Sequence, residues 1–268
     1  MDMNLDQTRA SRSELLGRTS ELANQFLDGL GDRPVSRTVD FDKLLAEMEE
    51  NGLPFDGGDS IQIVERLSEL AARAIVATAG PRYFGFVVGG SLPVAVAADW
   101  LTAAWDQNAA FYAHSPLAAA AEQIAGNWLI ELFGLSKGAS VGFVTGGTMA
   151  NFTALAAARH ALFRELGWDV EQQGLFGAPS ITVVTSDESH VSIFASLQML
   201  GLGSRQVVRV PTDDQGRMRS DGFMSTAHSA CGRRRLLPID LSRGELSWPT
   251  RSQLIVINGS TFHTTPDW

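Results

Sequence analysis

The stretch with the clearest chemical potential is Val141-Gly142-Phe143-Val144-Thr145-Gly146-Gly147-Thr148-Met149-Ala150-Asn151. Its first half reads as a buried strand and its second half as the start of a helix, with two adjacent glycines at the turn. Glycine allows close backbone approach and positive φ. The first amides of the helix have no intrahelical acceptor and sit at the positive end of its dipole, so they suit a phosphate. The Thr148 hydroxyl adds a donor. The same pattern also serves a plain strand–helix connection in which the glycines only permit tight packing. No Gly-Lys-Ser/Thr follows, and the spacing is not Gly-x-Gly-x-x-Gly, so neither the nucleotide P-loop nor the dinucleotide fingerprint is present.

Thr185-Ser186-Asp187-Glu188-Ser189-His190 follows directly after a second predicted strand. That order places His190 at the same sheet edge as the glycine turn. A histidine there can stack on a planar ligand or transfer a proton. The alternative is a capping turn, with Ser186 or Asp187 starting the next helix and His190 on its surface. Tyr83-Phe84 and His114-Ser115-Pro116 lie at breaks in the helical pattern, where aromatic residues line pockets or fill cores. His160, His228 and His263 are isolated, and no two of the five histidines have zinc-ligand spacing. Cys231 reads as a bystander thiol.

The elements that must position these residues fall into three stretches. Residues 1–80 form an expected helical arm. Its helices cover about residues 1–30, 40–52 and 60–79, the last with Ser60 as cap and Ile61, Val64, Leu67, Leu70 and Ala74 on its buried face. Residues 81–221 begin with the aromatic turn Pro81–Phe86. An Ala-rich helix over Pro93–Trp105 reads as buried all round, in a core or a subunit interface. A second helix opens at Ser115-Pro116 and runs to about Leu132. Strand and helix then alternate: strands at Ala139–Val144, Ile181–Thr185 and Gln206–Val210, and helices at Met149–Leu166 and His190–Leu200. This order predicts a mostly parallel α/β sheet with ligands at its carboxyl edge. Residues 222–268 lose that pattern. They hold the run Arg233-Arg234-Arg235 and one strand-like stretch, Leu254–Ile257.

The chain has 268 residues and a formal charge of −9, which lacks the basic footprint of a nucleic-acid binder. No apolar run reaches the roughly 18–20 residues of a membrane span, and the first 30 residues lack a signal-peptide pattern. One cysteine excludes an internal disulfide and a Cys-rich metal site, and the cytosol is the expected compartment. There are two lysines, Lys43 and Lys137, against 19 arginines.

Taken in order, several motifs resemble the pyridoxal-phosphate-dependent group II amino-acid decarboxylases, which act on aromatic amino acids, glutamate or histidine. They are the Pro81–Phe86 turn, Ser115-Pro116 with Glu122 and Trp128, Gly142–Asn151, the Thr185–His190 block, and Arg209-Val210-Pro211 with Asp213–Met218. The resemblance implies the large domain of a fold type I enzyme, forming a homodimer embraced by its N-terminal helices. It implies that Gly146, Gly147, Thr148 and Met149 hold the phosphate of pyridoxal 5'-phosphate. It implies that His190 stacks on the pyridine ring, and that Tyr83 and Phe84 lie near an amino-acid substrate. A nucleotide or sugar-phosphate binder built on the Gly146–Thr148 loop is a further reading, but it leaves the His190 block and the aromatic turn unused.

The departures are specific. The family uses an aspartate on a later strand against the pyridine nitrogen, and a lysine after a histidine for the Schiff base. Neither motif occurs here, and the match stops near Asp221. Six strand residues would put Lys137 roughly 20 Å from the phosphate loop, beyond its stem. Lys43 lies in the arm, and Asp240 and Asp267 lack the expected neighbours. The expectation is a large domain cut short before the Schiff-base lysine and inactive as written, with residues 222–268 out of frame or unrelated. Its alternative is a non-catalytic product that keeps a residual cofactor loop and a dimer surface.

Overall fold

The computed structural model describes residues 5–36, 39–49, 52, 58–136, 138–223, 225 and 254–257. Lys137, Cys231, Arg233–Arg235, His228, His263, Asp240 and Asp267 lie outside them. The chain divides into two compact units, Met1–Gln107 and Asn108–Trp268.

The first unit is helical: α1 (Leu5–Asp28), α2 (Phe41–Glu49), α3 (Ser60–Ala74) and α4 (Pro93–Trp105). Helix α1 packs on α3, where Arg18 Nε lies 2.7 Å from a Glu65 oxygen. Arg66 and Arg73 of α3 both donate to the Glu47 carboxylate of α2. The Arg73 hydrogen bond is the main cause holding that carboxyl below its usual range. The cap of α3 is Asp59, which accepts from the Gln62 amide at 2.9 Å, and not Ser60 as the sequence suggests. The helix also ends at Ala74 rather than near 79. Ile75 turns extended, and the Ala77 amide donates to the Pro34 carbonyl.

Helix α4 differs from its expected burial. None of its residues is buried, and Val94, Trp100, Leu101 and Trp105 are exposed. An apolar helix is buried only where a neighbour covers it. Within its own unit, among the described residues, no element packs extensively against α4.

The second unit holds α5 (Pro116–Leu132), α6 (Gly147–Glu165), α7 (Val170–Gln173), β1 (Thr182–Ser186), α8 (Val191–Met199), β2 (Val208–Val210) and β3 (Leu254–Ile257). The sheet runs β2-β1-β3 with both pairings parallel, as the strand–helix alternation predicts. Val184 pairs with Val208 on one side and with Val256 on the other. The strand-like stretch at 254–257 is therefore an edge strand beside β1. Leu155 and Leu162 of α6, Val183 of β1, and Ile193 and Leu197 of α8 form the core with Leu200.

The segment Ala139–Val144 corrects the sequence reading. It forms no strand, and Phe143 and Val144 are exposed. A strand needs a partner to satisfy its backbone groups. Among the described residues the three-stranded sheet offers it none.

Leu197 is fully buried, whereas Leu132 at the end of α5 is 76% exposed. Leu197→Ala should lower unfolding free energy by about 2–5 kcal/mol, while Leu132→Ala, compared at concentrations where the chain is monomeric, should leave it nearly unchanged. Denaturant titrations of both variants measure the contrast.

Candidate functional site

The site is built where α6 and α8 begin. Gly146 is the N-cap of α6, with φ 157° and ψ 176°, and no side chain caps the helix. That backbone region is essentially glycine-only. The first intrahelical bond runs from the Ala150 amide to the Gly146 carbonyl at 2.9 Å. The amides of Gly147, Thr148 and Met149 precede it and are donors of the kind a helix leaves without an internal partner. A Cβ placed on Gly146 or Gly147 meets nothing within 4 Å, and residues 145–150 are exposed. The turn is thus open to a ligand and not filled by packing, which favours the ligand reading of the two glycines.

His190 stands at the start of α8, the helix that packs on α6. β1 ends at Ser186, and after a four-residue connection containing His190, α8 begins at Val191. His190 is itself the N-cap of α8. Its Nδ1 accepts from the Ser192 amide at 3.2 Å and lies 2.8 Å from the Ser192 hydroxyl. The capping alternative had named Ser186 or Asp187. Instead Ser186 belongs to β1 and is buried. The His190 side chain is exposed apart from that capping contact.

Two side-chain hydrogen bonds join α6 to α8. Asn151 Nδ2 of α6 donates to Ser192 Oγ of α8 at 2.9 Å. Ser196 Oγ shares its one proton between the Ser192 carbonyl at 2.7 Å and the Thr148 carbonyl at 3.2 Å. Below them Thr185 Oγ1 and Ser189 Oγ sit 2.5 Å apart in the interior. Sequence reasoning did not single out Ser192 or Ser196. The one local signal was the His-x-Ser spacing at 190–192, which suits a histidine capping its own helix.

Tyr83 and Phe84 lie in the first unit. Tyr83 is half-buried and Phe84 is 93% exposed. His114 belongs to the second unit and makes an edge contact with Phe111, the ring centroids 5.5 Å apart. Lys43 lies exposed on α2. Among the described residues no cluster of three His, Cys, Asp or Glu side chains is placed to hold a metal, and no helix is long and apolar enough to cross a membrane.

The second unit is a parallel α/β unit in which α6 opens on an uncapped N-terminus and α8 on an exposed imidazole. The chain belongs to the pyridoxal-dependent decarboxylase family: the family's profile, described as the pyridoxal-dependent decarboxylase conserved domain, matches residues 45–229. An aromatic-L-amino-acid decarboxylase from Bacillus atrophaeus is 29% identical over 218 residues, covering 81% of this chain and 43% of the relative. A glutamate decarboxylase from Drosophila melanogaster is also 29% identical, covering 76% of this chain and 39% of the relative. The crystal structure of mouse CSAD is similar with a TM-score of 0.73 at 26% identity, over 83% of this chain and 46% of that one. The fold is accordingly that of part of the large domain of a fold type I pyridoxal enzyme. The chain spans about two-fifths of the length of these two sequence relatives.

The open turn separates two glycines that look alike in sequence. Gly146→Ala forces a side chain into the glycine-only region and should cost about 1–3 kcal/mol. Gly147 is already helical and its Cβ would point into open space. Gly147→Ala should therefore be neutral or slightly stabilising, and thermal unfolding of the pair reads the difference.

Proposed function

We propose that this chain supplies the cofactor-binding part of a pyridoxal-phosphate-dependent carboxy-lyase acting on an amino acid. The observation that carries the reading is the open α6 N-terminus tied to the His190 cap. The amides of Gly147, Thr148 and Met149 and the Thr148 hydroxyl hold the phosphate, with Gly146 giving the backbone its approach. His190 presents its ring to one face of the pyridine. Tyr83 and Phe84 are assigned to the substrate by the family resemblance alone. When bound, the cofactor supplies an electron sink for the pair left by departing CO₂. The residues of this chain hold that ring in place and shield one of its faces. The single cysteine supports a reducing compartment, the cytosol.

Pyridoxal phosphate added to the 268-residue chain should bind and quench tryptophan fluorescence. His190→Ala should weaken binding by about tenfold, the worth of one stacked ring at roughly 1–1.5 kcal/mol. Inorganic phosphate should compete. Binding unaffected by phosphate would sink the assignment of the α6 turn.

A second reading concerns these 268 residues taken alone: they bind the cofactor without linking to it covalently. Neither Lys43 nor Lys137 stands in a His-Lys pair. Borohydride treatment of the mixture should then leave the protein mass unchanged. A pyridoxyl adduct on either lysine would exclude this second reading.

We also propose that the partner is a second copy of the chain. Leu117, Ile124, Trp128 and Leu132 expose apolar side chains along α5, and such a stripe on a folded unit marks an interface. Light scattering should give twice the chain mass, and Trp128→Glu should return it to the monomer value.

A further inference from the structure

The imidazole of His190 has two nitrogens, and the surrounding hydrogen bonds distinguish them. Nδ1 receives two donors from one residue. The Ser192 amide, an otherwise unpaired donor of the first turn of α8, points at it from 3.2 Å. The Ser192 hydroxyl lies 2.8 Å from the same nitrogen. A protonated Nδ1 would face the amide hydrogen head-on, so the hydroxyl must donate as well. Its oxygen is then free to accept, and Asn151 Nδ2 of α6 donates to it at 2.9 Å. Three consecutive hydrogen bonds therefore run in one direction: Asn151 to Ser192, and Ser192 twice to His190. Ser192 is buried, so its hydroxyl has little water to turn toward.

We propose that Ser192 and Asn151 are positioning residues that fix His190 in the Nε2–H tautomer and set the plane of its ring against the cofactor. The second half of this statement rests on the reading of His190 as the ring that stacks on the pyridine. The tautomer does not depend on it. The arrangement keeps the proton on the nitrogen away from the cap. It also ties the ring to the helix whose first amides hold the phosphate, because Asn151 lies one turn beyond Gly147 on α6. The register of the two helices is fixed further by Ser196, which is fully buried and donates to the Thr148 carbonyl. A shift of α6 is thereby passed to the plane of the imidazole through two hydrogen bonds. The two anchors of a flat phosphorylated ligand, its phosphate and its ring face, are then held in one frame.

The test is ¹⁵N imidazole spectroscopy of the histidine-labelled 268-residue chain, with the histidine signals assigned by single substitution and recorded where imidazole is neutral. Wild-type His190 should show Nε2 protonated and Nδ1 in the range of a hydrogen-bonded acceptor. Ser192→Ala should move the Nδ1 signal and raise the Nδ1–H population, and Ser192→Thr, which retains the hydroxyl, should restore the wild-type pattern. Asn151→Asp turns the serine hydroxyl toward a carboxylate, so it should also raise the Nδ1–H population. Pyridoxal phosphate affinity should fall about two- to tenfold in Ser192→Ala, the worth of one hydrogen bond. A wild-type Nδ1–H tautomer, or signals unmoved by both Ser192→Ala and Asn151→Asp in folded protein, overturns the proposal. If the tautomer behaves as stated while His190→Ala leaves cofactor affinity intact, the reading of His190 fails and the hydrogen-bond assignment stands.

Discussion

Everything the second unit can do depends on the hydroxyl-lined seam between α6 and α8. Buried hydroxyls must be hydrogen-bonded, and their small side chains let two helices approach closely. Ser196 is fully buried, and Ser192 and Ser189 are nearly so. Ser192 and Ser196 find partners on α8 and α6 or at the His190 cap, and Ser189 pairs with Thr185 of β1. A helix pair held only by Leu155, Leu162, Ile193 and Leu197 could slide by part of a turn with little loss, because apolar contacts are non-directional. The bonds from Asn151 to Ser192 and from Ser196 to the Thr148 carbonyl have direction and length, and they remove that freedom. The apolar core supplies most of the stabilisation and the polar seam sets the register. It is this register that sets Thr148 against Ser196 and Asn151 against Ser192.

That division of labour explains which parts were legible in the sequence. The βαβ order, the uncapped glycine turn and the position of His190 after β1 follow from local pattern: residue type, spacing and the alternation of strand and helix. The seam does not, since Asn151 and Ser192 stand 41 residues apart. No periodicity connects them, and serine at the second position of a helix is unremarkable by itself. The cap was misplaced for a related reason. Serine and aspartate are the usual caps, and Ser186 and Asp187 stood nearby. But β1 continues through Ser186, so the helix could start only after the connection, where His190 was left to accept from the Ser192 amide.

The two larger departures share one cause. Helix α4 and the segment 139–144 both carry the apolar composition of buried structure, and both are exposed. Composition records what a segment is suited to contact. Burial requires the contact to be present. The segment 139–144 makes the point sharply, because Val141 does lie against Gly126 of α5, where a Cβ would sit 3.5 Å away. One side chain has its neighbour, but the backbone has no strand beside it. By contrast Leu254–Ile257, with four apolar residues and no glycine or proline, takes a full parallel register along β1. A short strand is decided by its partner more than by its own sequence.

The chemistry of the seam also bears on why relatives that act on an aromatic and on an acidic amino acid resemble this chain equally. Under the proposed reading, backbone amides would hold the phosphate of a pyridoxal cofactor and one imidazole would face its ring, and neither contact is made to a substrate side chain. Amides at a helix N-terminus carry no side-chain identity, so they demand little of the side chains there, Met149 included. The cap–seam trio of Asn151, Ser192 and His190 is constrained by hydrogen-bond direction and not by substrate. Residues under such constraints can stay alike while substrate preference changes, since the free energy they contribute is common to every substrate. Uniform binding of that kind cannot discriminate. Specificity must come from groups whose contacts differ between substrates.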